Sequence, residues 1–114
     1  MKAFIKVMKA LSDPNRVKII KMLQHKMMCV CELQKALRVS QPAVSKHLKL
    51  LEDAGLVSFQ KDGLWVNYHL TDGSSSSYVA NLLGNLKHWI EDDKEIADIL
   101  EKLPGTRRED ICKK

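Results

Sequence analysis

Apolar residues along the first half of the chain recur at helical spacing and then switch to alternation. Phe4, Val7, Met8 and Leu11 fall at i, i+3, i+4 and i+7, with Lys2, Lys6 and Lys9 off that stripe, which predicts an amphipathic first helix. Ser12-Asp13-Pro14 restarts the pattern. Asp13 suits an N-cap and Pro14 the first helical position, where a missing N–H costs nothing, so a second helix follows and buries Ile19, Ile20 and Leu23. The run Met27-Met28-Cys29-Val30-Cys31 is too brief for a helix and suits a short strand. Leu33, Ala36 and Leu37 predict a short third helix ending near Arg38. Ser40 caps a fourth, whose inward stripe is Val44, His47, Leu48 and Leu51 and which Gly55 stops.

Beyond Gly55 the period changes. Val57 and Phe59 share one face of a strand, Asp62-Gly63 supplies a turn, and Leu64, Val66, Tyr68 and Leu70 return on the same face, a two-stranded hairpin. Asp72 to Ser77 reads as a short polar loop carrying a helix cap. Val79, Leu82, Leu83 and Leu86, then Ile96, Ile99, Leu100 and Leu103, form further helical stripes on either side of Glu91-Asp92-Asp93, as one kinked helix or as two. Pro104-Gly105 ends the regular structure. The expected fold is mainly α with a small β-hairpin: residues 1–103 form one winged helix-turn-helix domain for DNA binding and dimerisation, and residues 104–114 a polar tail.

The segment Glu32 to Val57 carries that expectation: a short helix, a turn at Arg38-Val39-Ser40, a longer helix and then the hairpin as a wing. A recognition helix needs one apolar face for its own core and an opposite face of short polar and cationic side chains. Gln41, Ser45, Lys46 and Lys49 provide the second face. The Gln41 amide suits bidentate pairing with adenine, Ser40 and Ser45 permit close approach, and Lys46 and Lys49 suit phosphates. His47 lies on the inward stripe and reads either as a half-buried structural histidine or as a phosphate contact. Lys61, near the wing tip, is a further phosphate candidate or a solvated lysine. One short recognition helix rarely suffices for specific binding, so a homodimer on double-stranded operator DNA is expected, joined through its N- and C-terminal helices.

Charge supports this placement. The chain of 114 residues carries a net +5, and its excess is uneven: residues 1–63 hold 12 basic and 5 acidic side chains, residues 64–114 hold 7 and 9. The basic half contains the helix-turn-helix, as a footprint for a polyanion or as a lysine-rich solvated face. Apolar runs fall far short of the roughly 20 residues that cross a bilayer, and Met1 to Leu11 does not resemble a signal peptide, so a cytoplasmic protein without membrane contact is expected. No phosphate-binding glycine loop, Ser/His/Asp arrangement or working carboxylate pair is evident, and an enzyme is not expected.

The three cysteines cannot all pair with one another, and free thiols are the expectation. Cys29 and Cys31 are one residue apart. On a regular helix such residues point about 200° apart, whereas on extended backbone they face one side, so sharing an ion requires a non-helical segment. A strand-to-helix junction offers one, with Cys31 near the N-cap and Gln34 at the N3 position of a capping box. A helix N-terminus lowers a thiol pKa, although Glu32 opposes this. Cys112 is the only further sulfur ligand of this type, and three thiolates suit pyramidal trivalent arsenic or antimony better than tetrahedral zinc. No resident cofactor is required, the ion being an inducer. Each cysteine also reads as a small buried hydrophobe, and a strained Cys29–Cys31 disulfide is a redox alternative.

With LSDPNRVKIIKML at the second helix, CVCEL opening the third, VSQPAVSKHLKLLEDAGLV at the recognition helix and GLWVNYHL in the wing, the chain resembles the ArsR/SmtB family of metal-responsive repressors from about Val7 to about Leu100. CVCEL resembles the arsenic-sensing branch. The resemblance implies a homodimeric winged-helix repressor that leaves its operator when an inducer binds, with Cys29 and Cys31 as inducer ligands and Gln41, Ser45 and their neighbours on DNA. Arsenic sensors of this type often carry another cysteine three positions after the second, where this chain has Gln34, which leaves Cys112, a non-protein ligand or no third ligand. Cadmium and lead sensors add cysteines before the pair, and none precedes Cys29. Zinc sensors place an Asp-x-His pair and a later His with an acidic or His partner on the C-terminal helix, whereas here only His88 stands beyond the wing. Alternatives are a redox, persulfide or Cd/Pb-sensing repressor on the same fold, or a small thiol oxidoreductase, which lacks its CxxC motif.

Overall fold

The computed structural model describes residues 1–74 and 76–105. The helices α1 (Lys2–Ala10), α2 (Pro14–Leu23), α3 (Val30–Leu37) and α4 (Gln41–Asp53) form the first half. Their starts follow local chemistry. The Asp13 carboxylate accepts from the N–H groups of Asn15 and Arg16 at 2.8 and 3.3 Å with Pro14 just inside α2, and the Ser40 hydroxyl oxygen accepts from Ala43 N–H at 3.3 Å at the head of α4. Gly55, at φ +82°, ends α4 in a Schellman arrangement: its N–H donates to the Glu52 carbonyl and that of Leu56 to Leu51 at 3.0 Å, while the buried side chains of Leu51 and Leu56 close the turn.

A three-stranded antiparallel sheet follows in the order β1–β3–β2, from β1 (Met28–Cys29), β2 (Val57–Asp62) and β3 (Trp65–Leu70). Val57, Phe59 and Lys61 lie opposite Leu70, Tyr68 and Val66, as the alternation predicts. Two expectations need correction. The hairpin is not two-stranded, because Met28 and Cys29 add a third strand opposite Tyr68 and Asn67. A two-residue strand has too little alternation for its pairing to be read from sequence. The turn is also displaced by one residue: Asp62 pairs with Trp65, leaving Gly63-Leu64 as the loop, with positive φ at Gly63 alone, as a II′ turn requires. Leu64 is therefore 74% exposed at the tip and not on the packed face.

The C-terminal stripes are two helices, α5 (Ser77–Leu86) and α6 (Lys94–Lys102), followed by a 3₁₀ turn at Leu103–Gly105. Ile90 at φ +64° breaks the path between them, and Asp93 restarts it by accepting from Ile96 N–H at 3.1 Å. The acidic interruption is thus a helix cap.

The core joins these pieces around α2, which packs on α3, α4, α6 and β3. Ile19, Ile20 and Met22 of α2, Leu33 of α3, and Val44, Leu48 and Leu51 of α4 are all essentially inaccessible. Each is worth about 1.5–3 kcal/mol of burial, so the relative placement of the helix-turn-helix is strongly determined. On α1, Val7 and Ala10 are buried. Phe4, on the predicted inward stripe, is 40% exposed, with its ring edge-on to Tyr78 of α5 at 5.4 Å.

Candidate nucleic-acid interface and thiol site

Between α3 and α4 the chain turns through Arg38, Val39 and Ser40, with Arg38 in the left-handed region at φ 58°. Because α4 buries Val44, Leu48 and Leu51, its opposite side is presented outward. Gln41, Ser45 and Lys49 follow at i, i+4 and i+8, and all three are exposed, as are Ser40 and Lys46. Lys49 lies 3.4 Å from Asp53 on the same face, an exposed i, i+4 pair of little strength. Lys61 is exposed on β2, opposite Val66. His47 is half-buried, and its Nδ1 lies 3.0 Å from Arg16 Nη1. Guanidinium donates only, so Nδ1 accepts.

Sequence spacing pointed to the strand-to-helix junction for the cysteines, and the structure places both there, in a register two residues earlier. Cys29, extended at φ −89° and ψ 171°, is the N-cap of α3, and Glu32, not Gln34, is its N3 residue. The pair forms a capping box with sulfur in place of hydroxyl oxygen: Cys29 N–H donates to Glu32 Oε1 at 3.0 Å, and Glu32 N–H points to the Cys29 sulfur. Cys31 therefore sits within the first turn, half-buried, while Cys29 is buried. The expected lowering of the thiol pKa does not hold at Cys29. Burial pushes it up, the Glu32 N–H offsets part of that rise, and the Glu32 carboxylate adds to it.

Cys31 is disulfide-bonded and Cys29 is not, so the two do not bond to each other. The thiolate of Cys31 requires that bond to be reduced. Among the described residues, no group of three His, Cys, Asp or Glu side chains comes together to hold a metal ion. Cys112 lies outside the described residues, and the junction itself offers two sulfurs. His88 is exposed just beyond α5.

Three supporting residues escape a reading by periodicity. Glu32 is 6% exposed and has Lys26 at 3.7 Å, and its C-x-x-E spacing from Cys29 is a signal once sulfur is allowed as a cap. Lys21 stands among Ile19, Ile20, Met22 and Leu23, and a lysine inside an apolar run signals a buried cation. Arg16 leaves no sequence signal; its Nε donates to the Ala10 carbonyl at 2.7 Å and its Nη2 to that of Lys9 at 3.3 Å, capping the end of α1.

A helix-turn-helix with a small-polar and cationic outer face, followed by a β-hairpin, defines a winged-helix DNA-binding protein. Residues 13–58 match the model of the bacterial regulatory proteins of the arsR family. The chain is 40% identical over 67 residues to the uncharacterized HTH-type transcriptional regulator MJ1325 of Methanocaldococcus jannaschii, covering 58% of this chain and 75% of that one. It is 43% identical over 68 residues to the arsenical resistance operon repressor of Escherichia coli K12, covering 59% of this chain and 58% of the repressor. Reduced HlyU from Vibrio cholerae N16961 superposes with a TM-score of 0.66 at 30% identity, over 81% of this chain and 92% of that one. The chain belongs to the ArsR family of winged-helix transcriptional regulators. Among the described residues, no helix is long and apolar enough to cross a membrane.

Proposed function

We propose that the protein is a homodimeric repressor that releases operator DNA when trivalent arsenic or antimony binds the thiolates of Cys29 and Cys31, with Cys112 as third ligand. The observation that carries this reading is the position of the pair. Cys29 caps α3 and Cys31 lies in its first turn, and α3 packs directly on α4, the helix that presents Gln41, Ser45, Lys46 and Lys49. One ion held by both sulfurs has to draw an extended cap residue and a helical residue together, which remodels the capping box of Cys29 and Glu32. That strain passes to α4 through the buried core that α3 and α4 share, Leu33 included. Full switching requires the inducer to favour the released form about 10⁴-fold. Soft thiolate ligation of a thiophilic ion suits that demand.

X-ray absorption on the reduced protein with arsenite counts the sulfurs around arsenic. Three in the wild type and two in Cys112→Ser support the assignment of Cys112; three in both would remove it. Fewer than two in the wild type would overturn the site.

A second reading has its own observation: a disulfide-bonded Cys31 two positions from a reduced Cys29. On that reading oxidation, not metalloid, sets DNA affinity. Release by oxidant together with indifference to arsenite would favour it.

A further inference from the structure

The Arg16 guanidinium joins three elements at one point: its Nε and Nη2 hold the last carbonyls of α1, and its Nη1 reaches across to His47 on α4. Since the acceptor role of Nδ1 assigns the neutral ring's proton to Nε2, the direction of the remaining donor is fixed by Arg16. Nε2 is not among the buried atoms that lack a partner, and His47 has no other hydrogen bond, so this N–H faces solvent. It does so from α4, one residue after Lys46. We propose that Arg16 is a positioning residue for DNA contact, which holds His47 so that its Nε2–H donates to a backbone phosphate.

This inference rests on the reading of α4 as the DNA-facing helix and adds a route to it. His47 is both half-buried and a phosphate contact, and its geometry is tied to the end of α1, so displacement of α1 reaches the DNA face without passing through the thiol site. Arg16 also lines an open groove of about 840 Å³ between α1 and α4, beside Ile5, Leu50 and Asp53.

Two measurements test it separately from DNA binding as such. Imidazole ¹⁵N spectra of the free protein at about pH 8, above the usual histidine range, are expected to show His47 only as the Nε2–H tautomer, and a mixture in Arg16→Gln. A wild-type Nδ1–H signal would overturn the proposal with no DNA present. Affinity is then measured at about pH 8 and fixed salt for a duplex selected by the wild-type protein from a random pool. A neutral imidazole releases no counterion, so His47→Ala should weaken binding about tenfold while leaving the slope of log K against log salt unchanged. Arg16→Gln should also weaken binding, the double variant should lose no more affinity than the weaker of the two single variants, and His47→Gln, which keeps an Nε2 donor, should recover most of it. Affinity unchanged in His47→Ala, or additive losses in the double variant, would contradict it. Failure of the wild type to select any duplex would instead sink the DNA-facing reading beneath it.

Discussion

The Lys21 ammonium donates to the Leu86 carbonyl at 2.7 Å and to the Trp89 carbonyl at 3.0 Å, with a Glu91 carboxylate oxygen at 3.3 Å. A side chain only 1% exposed thus caps the negative end of α5 and ties the α5–α6 joint to α2. Removing the cation strands two carbonyl oxygens, and a charged hydrogen bond of this kind is worth roughly 1.5–3 kcal/mol. Lys21→Ala should therefore lose about 3 kcal/mol in urea unfolding. Lys21→Met also lacks the ammonium but keeps most of the apolar stem and should lose somewhat less; a negligible loss in Lys21→Met would show that packing, not the cap, is at stake.

Gly73 and Gly84 should respond to alanine with opposite signs. Gly73 has φ +77°, and a Cβ there would sit 2.7 Å from the backbone Cα of Ala80, so strain and clash combine. Gly73→Ala should cost about 2–4 kcal/mol. Gly84, inside α5, has open space where its Cβ would be. Gly84→Ala should gain about 0.5–1 kcal/mol by restricting the unfolded chain. Denaturation midpoints check both.

Burial of Cys29 sets a pH dependence. Its thiol titrates higher in the folded chain than the ordinary value of about 8.5, so the folded state favours the protonated form. That contribution to stability is whole below the unfolded value and fades as pH rises through the folded one. Reduced wild type should lose stability above about pH 8.5 more steeply than Cys29→Ala. Iodoacetamide should alkylate Cys29 slowly at neutral pH and at the ordinary thiol rate in urea. Equal rates folded and unfolded would show that burial does not protect this sulfur.

Helix ends were legible in the sequence because caps are local: Asp13 and Ser40 at two starts and Gly55 at one stop act within four residues of their own positions. The exposed face of α4 was legible because a 3.6-residue period separates Gln41, Ser45 and Lys49 from Val44, Leu48 and Leu51. What escaped is set by tertiary contact. Pairing of Met28 with Tyr68 spans 40 positions, and the bonds from Arg16 to His47 and from Lys21 to Leu86 span 31 and 65. Cys29 as N-cap was missed for a chemical reason. Sulfur is a weak acceptor, and here it stands opposite the Glu32 N–H while the Glu32 carboxylate closes the box on the Cys29 N–H.

On the proposed mechanism, closing two sulfurs at the head of α3 disengages α4 from DNA. Arsenite titrated into the reduced protein on a wild-type-selected duplex, followed by fluorescence anisotropy, tests it most directly. Wild type should be released, and the Cys29→Ser, Cys31→Ser double variant should stay on the same duplex. Release of both at the same arsenite concentration would contradict it.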